Sequence, residues 1–183
     1  MEGKFFLAGI THDNQEVLYT KDKYKRLSDE KKRLISEALP QIEYQKYPLV
    51  YTVSFDRVVG ETILVELEDY QKEKVVWCYR KSNYKWRVPV LLNGETRKTT
   101  YMTIVFHKKE GKVFISDCFF GKRTLPVPGN PDARRQGPEF LKNCQNFWQN
   151  HALVVPRKDI NVSRTIKRLN EKELECFNRF IEA

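Results

Sequence analysis

No run of about 18 apolar residues occurs in this 183-residue chain, so no membrane-spanning helix is expected. The apolar part of the opening stretch, MEGKFFLAGITHDNQ, is too short for a secretory signal, which leaves the cytoplasm as the expected location. Cysteine is sparse: Cys78, Cys118, Cys144 and Cys176 stand far apart, with no CxxC or CxxH pair. They read as reduced and mostly buried thiols, with disulfides the alternative, and metal binding through them is not expected. Only three histidines are present, His12, His107 and His151, and neither HxH, HExxH nor clustered acids accompany them. No metal site and no cofactor are therefore expected. GxGxxG, GxxxxGK[ST] and GxSxG are all missing, which removes support for a dinucleotide site, a P-loop or a serine-hydrolase elbow.

Aromatics and positive charge are plentiful. The chain has 11 Phe, 9 Tyr and 3 Trp, enough for a packed core, and a formal net charge of +9. A chain of this length suits one domain, 1–183. The charge favours anionic partners, RNA or another polyanion first and an acidic protein second. It is unevenly spread. Between Tyr79 and Lys98 the six cations Arg80, Lys81, Lys85, Arg87, Arg97 and Lys98 face Glu95 alone. Trp77, Tyr79, Tyr84 and Trp86 interleave with them, the pairing that phosphates and unstacked bases require. The plainer alternative is a solvated, soluble surface.

The stretch TTYMTIVFHKKEGKVFISDCFFG (99–121) carries two β-rich runs around the polar tip Lys108–Gly111, which predicts a hairpin. Strict alternation sets Met102, Ile104 and Phe106 against Tyr101, Thr103, Val105 and His107. On the second run it sets Phe114, Ser116, Cys118 and Phe120 against Val113, Ile115, Asp117 and Phe119. Both faces are apolar, as in central strands covered on each side.

Other elements follow from local signals. Phe5-Phe6-Leu7 reads as an edge strand, Asp13-Asn14 as a turn and Val17-Leu18-Tyr19 as a second short run. After the basic stretch KDKYKRL, Ser28 is an N-cap with Asp29 and Glu30 in the first turn, and a helix is predicted over 28–39. From Tyr47 the period changes. LVYTVSF (49–55), GETILVELED (60–69), KVVWCYR (74–80) and WRVPVLL (86–92) read as strands, with Pro89 marking an edge or a bulge. Asn93-Gly94 is a turn. GKRTLPVPGNPDARRQG (121–137) is a long loop of the kind that is functional or disordered. A helix with Pro138 at its first position follows, then an apolar ALVVP strand. Asn170 and Glu173 form a capping box for a final helix with Leu174, Phe177 and Ile181 on its buried stripe. The expected fold class is α+β: an antiparallel, meander-like sheet of about five to seven strands, packed by the helix at 28–39 and two C-terminal helices.

The hairpin, with the helix and meander before it, resembles the barnase–EndoU–colicin–RelE group of metal-independent ribonucleases and toxins over roughly 75–121. Members carry a Thr- or His-containing strand, a turn such as KEGKV, and a strand that runs into a Pro-rich loop. The later FFG…FWxxHALV pattern is similar to uncharacterised bacterial proteins. No histidine pair of the EndoU type is present, and the helix from 138 lies outside that core. The resemblance implies cytoplasmic RNA cleavage of toxin or defence type. Such cleavage needs a proton acceptor, a proton donor and cations for the phosphorane charge. By residue type and position the candidates are His151, His107, Arg80, Arg87 and Thr103. Each has a structural alternative: a helix cap or packing ring for His151, an exposed strand end for His107, snorkelling for the arginines, ordinary strand packing for Thr103. Candidate nucleic-acid contacts are Trp77, Tyr79, Lys81, Tyr84, Lys85, Trp86, Arg97, Lys98, Lys122, Arg123, Arg134 and Arg135. The rival readings are a non-enzymatic module that docks an acidic protein through its basic face and Pro-rich loop, and a small-molecule site within a curved sheet.

Overall fold

The computed structural model describes residues 3–44 and 49–182; Tyr47, where the period changes, lies outside them. In chain order the elements begin with β1 (Phe5–Ile10), β2 (Glu16–Thr20), α1 (Lys21–Arg26), α2 (Asp29–Ala38), β3 (Val50–Ser54), β4 (Gly60–Thr62), β5 (Leu64–Glu66) and α3 (Asp69–Lys72). They continue with β6 (Val75–Arg80), β7 (Asn83–Leu91), β8 (Arg97–Thr99), β9 (Tyr101–Lys109), β10 (Lys112–Phe120), α4 (Pro131–Arg135) and α5 (Pro138–Asn150). The last are β11 (His151–Leu153), α6 (Val162–Ile166) and α7 (Glu171–Glu182). The fold class is α+β, as expected. Among the described residues no helix is long and apolar enough to cross a membrane.

The elements form two compact units, Met1–Glu61 with Lys98–Arg123 and Thr62–Arg97 with Thr124–Ala183. The strands of the anticipated meander are shared among three sheets rather than running through one. The segment GETILVELED is not one strand. It breaks at Ile63, β4 pairing with β8 and β5 with β11. The Ile63 carbonyl accepts instead from Val154 N–H at 2.7 Å.

In the first unit the sheet order is β1-β2-β10-β9-β3, antiparallel except for the β2–β10 pair. β1 is at the edge and β9 and β10 are interior, as their sequences indicate. The hairpin closes through Glu110 (φ 51°) and Gly111 (φ 76°), with Lys109 opposite Lys112. Two successive positive φ angles match the twist of the flanking strands, which is why a Gly-containing pair serves here. One expectation for β10 is corrected. The register shifts between Ile115 and Asp117, and Cys118 and Phe120 move onto the face of Val113 and Ile115. A single bulged residue reverses the alternation beyond it. Against that face α2 lays Leu34, Ile35 and Ala38, all buried. The Ser28 hydroxyl caps α2 by accepting from Lys31 N–H at 3.2 Å. The basic stretch before it is itself helical: Thr20 caps α1, whose Tyr24 stacks on Phe6 at 4.1 Å between ring centroids.

In the second unit the sheet order is β5-β11-β7-β6, with β7 and β11 parallel. Pro89 therefore lies in an interior strand, opposite Trp77, not at an edge. The neighbour on its other side, β11, is three residues long and pairs only at Leu153–Val90, so little ladder is lost to the missing N–H. Val76, Cys78, Val88 and Val90 pack with Trp148 of α5 and with Phe177 and Phe180 of α7. Pro138 occupies the first turn of α5. Asn170 and Glu173 satisfy each other's backbone N–H at 2.9 and 3.0 Å, completing the predicted box. The 121–137 segment contains α4 and is held by Trp148, whose indole N–H donates to the Leu125 carbonyl at 3.0 Å.

Candidate nucleic-acid interface

Basic and aromatic residues gather at the tip of the β6–β7 hairpin in the second unit. Its register slips between Cys78 and Arg80, so the tip is bulged. Residues 157–168 fold onto it. Lys81 N–H donates to the Asp159 carbonyl at 2.7 Å and Asn161 N–H to the Tyr79 carbonyl at 2.8 Å. Tyr79 N–H donates to Thr165 Oγ1 at 3.0 Å, and Arg80 and Ile160 form an antiparallel bridge. This strand-edge capture explains why Thr165 is fully buried although α6 is only five residues long.

Capture changes the charge of the tip. Residues 157–168 bring Arg157, Lys158, Arg164, Lys167 and Arg168 against Asp159 alone, beside Arg80, Lys81 and Lys85 of the hairpin. The Arg164 guanidinium lies 4.7 Å from the Tyr79 ring centroid and 5.9 Å from that of Tyr84. Asn161 caps α6 through its side-chain oxygen, which accepts from Arg164 N–H at 3.2 Å. The Nε atoms of Arg80 and Arg164 are buried without a hydrogen-bond acceptor. Among the described residues neither arginine has an acidic partner. The Arg164 guanidinium is thus held against two rings, and it and the Arg80 guanidinium are left without an acid, an arrangement suited to an external anion.

The candidates named from the sequence divide between the units. Arg80, Arg87 and His151 belong to the second, His107 and Thr103 to the first. Arg87 is already occupied: one guanidinium nitrogen lies 3.4 Å from a Glu173 carboxylate oxygen and 3.3 Å from the Arg168 carbonyl. It ties β7 to the start of α7. The His151 ring stacks on Phe147 at 4.0 Å, nearly parallel, and its Nδ1 lies 2.8 Å from the Phe147 carbonyl. A carbonyl only accepts, so Nδ1 carries the proton, and the ring acts as a helix-end cap. Thr103 does not present a hydroxyl to any ligand. It is fully buried, donates to the Gly121 carbonyl at 2.8 Å and lies 2.9 Å from Thr52 Oγ1. His107 stacks on Phe114 at 5.2 Å, half-buried.

Of the proposed contacts, Lys81, Tyr84 and Lys85 are exposed, Trp77 and Trp86 half-buried and Tyr79 buried. Trp86 lies near Gly129 of the Pro-rich segment, where a Cβ would come within 3.5 Å of its own. Arg134 and Arg135 line an open depression of about 420 Å³ with Gly129 and Pro131, and Arg135 is paired with Asp132 at 3.0 Å. Arg97, Lys98, Lys122 and Arg123 are exposed; Lys122 rests 4.5 Å from the Tyr101 ring centroid. Arg164 is the residue that sequence reading missed. The run RKDINVSRTIKR carries the same charge signal as 79–98, but nothing local links it to the hairpin. Among the described residues, no group of three or more His, Cys, Asp or Glu side chains is gathered as a metal site would need. No protein-family model, curated protein or solved structure matches this chain.

Proposed function

We propose that the second unit binds RNA in the cytoplasm, through the tip of the β6–β7 hairpin and the segment 157–168 folded onto it. The observation that carries this reading is the cluster of Arg164 with the Tyr79 and Tyr84 rings, next to Arg80. It sets unneutralised guanidinium charge beside rings in a basic part of the unit. Phosphates supply the missing anion and bases the stacking partner. The reading is binding rather than strand cleavage, because the only acid at this tip is Asp159 and no histidine belongs to either segment that builds it.

The test is fluorescence anisotropy of a labelled mixed-sequence RNA between 25 and 200 mM salt, in EDTA. With about five phosphates neutralised on a single strand, log K falls against log salt with a slope of about −3.5. Arg164→Ala weakens binding and flattens that slope. Lys108→Glu with Lys109→Glu, on the hairpin of the first unit, leaves both unchanged. Absence of salt-sensitive binding at the lowest salt overturns the proposal. Degradation of the RNA in EDTA, lost in Arg80→Ala, overturns the choice of binding over cleavage.

A further inference from the structure

Taking RNA binding at this tip as given, we infer that its ligand class is single-stranded RNA, and that Tyr84 is the platform on which an unpaired base stacks. Tyr84 is 58 % exposed, whereas Tyr79, near the same guanidinium, is 9 % exposed. Arg164 lies 4.7 Å from the Tyr79 ring centroid and 5.9 Å from that of Tyr84, so the exposed Tyr84 ring has a cation beside it and most of its surface in solvent. An exposed tyrosine normally loses rotamer freedom when a ligand orders it. Here the guanidinium beside the ring rises from an anchored segment, since Arg164 N–H donates to the Asn161 side chain and Thr165 Oγ1 accepts from Tyr79 N–H, which lowers the ordering left for a ligand to supply.

A base laid on the exposed Tyr84 ring extends this cluster of two rings and a guanidinium. Cations for its flanking phosphates stand on the captured segment: Lys167 and Arg168 follow Arg164 by three and four positions, about one helical turn, and both are exposed. A duplex cannot use this arrangement. Its base faces are taken by neighbouring bases, and a protruding ring meets only sugars, phosphates and base edges. The platform therefore discriminates by strandedness and little by base identity, since every base has a π-face.

The experiment compares a non-self-complementary 12-nucleotide RNA with the same RNA annealed to its complement, at one salt concentration, on the full chain. The single strand is expected to bind about 5- to 150-fold more tightly than the duplex, the range one base–aromatic stack supplies. Tyr84→Ala removes most of that preference and lowers affinity for the single strand, while duplex affinity hardly moves. Tyr84→Phe, which keeps the ring and loses only the hydroxyl, retains the preference. A thermal melt of both variants checks folding, which an exposed side chain should not disturb. Equal affinity for the two RNAs, or full single-strand preference in Tyr84→Ala, overturns this inference and leaves RNA binding standing. Failure to bind either RNA defeats the binding proposal itself.

Discussion

Gly60→Ala should destabilise the first unit, and the contact that decides it is visible. A Cβ on Gly60 would stand 2.5 Å from Cγ and Cδ2 of Phe120 and 2.7 Å from Cε2. An ordinary van der Waals approach is near 3.5–4.0 Å, so the ring must retreat by about 1 Å or more. Phe120 packs against a core that includes Met102, Ile104 and Cys118, which leaves little room for retreat. Overpacking of this kind costs about 1–3 kcal/mol. Opposing it is the gain of about 0.4–1 kcal/mol that Ala brings by restricting the unfolded chain. The net expectation is a loss of about 1–2 kcal/mol. With a urea slope of about 2 kcal/mol per molar, the midpoint falls by about 0.5–1 M. The assay is urea unfolding of Gly60→Ala alone and in a Phe120→Leu background. Leucine has no ring at the clash, so the penalty should shrink by about 1 kcal/mol in the double variant. A Gly60→Ala protein as stable as the parent, or an equal cost in both backgrounds, refutes the packing argument.

At the β9–β10 turn, Gly111→Ala meets no atom within 4 Å yet sits at φ +76°, so conformation alone should cost about 1–2 kcal/mol; Glu110→Asn, at φ 51°, should be neutral or stabilising by denaturant midpoint. Trp148→Phe leaves the Leu125 carbonyl without its donor and should cost about 1–3 kcal/mol, with faster proteolytic cleavage within 121–137. Burial pushes the Cys78 thiol up to about 12 and raises the Cys118 thiol and the Tyr19 phenol. A raised folded value favours the native state while the group is protonated. Stability is therefore full below pH 9 and falls as pH rises through 9–12, by up to about 1.4 kcal/mol per pH unit for Cys78, readable from urea midpoints at pH 8 and 10. Of the four cysteines only Cys176 is partly exposed, so native protein should yield one fast thiol with a disulfide reagent at pH 8 and the rest only on unfolding.

How far the chain could be read follows from the range of each interaction. Ser28 with Lys31, Asn170 with Glu173, Pro138 at its helix start and Glu110-Gly111 at the turn all act within four residues, and each stands where its sequence puts it. The periodicities of α2 and β9 were equally legible, because side-chain period is a property of one element; in α7 Phe177 is buried as read, but Phe180 is its buried companion, while Leu174 and Ile181 are half-buried. The bulge at Ser116 was not, since a register slip is chosen by the partner strand. The break at Ile63 was hidden for the same reason, as a continuous apolar run does not reveal that its halves pair with different strands.

The sequence by itself determined the class, the hairpin, the capped helices and the excess of cations near rings, for these rest on composition and on contacts a few residues long. Only the tertiary structure decided which cations matter. Arg87, in the basic run, is paired with Glu173, whereas Arg164, 85 positions along from Tyr79, lies beside the Tyr79 and Tyr84 rings without an acid. That placement depends on an edge strand bonding to a distant segment, and the choice of such a partner is made by the free energy of the whole unit rather than by any local signal.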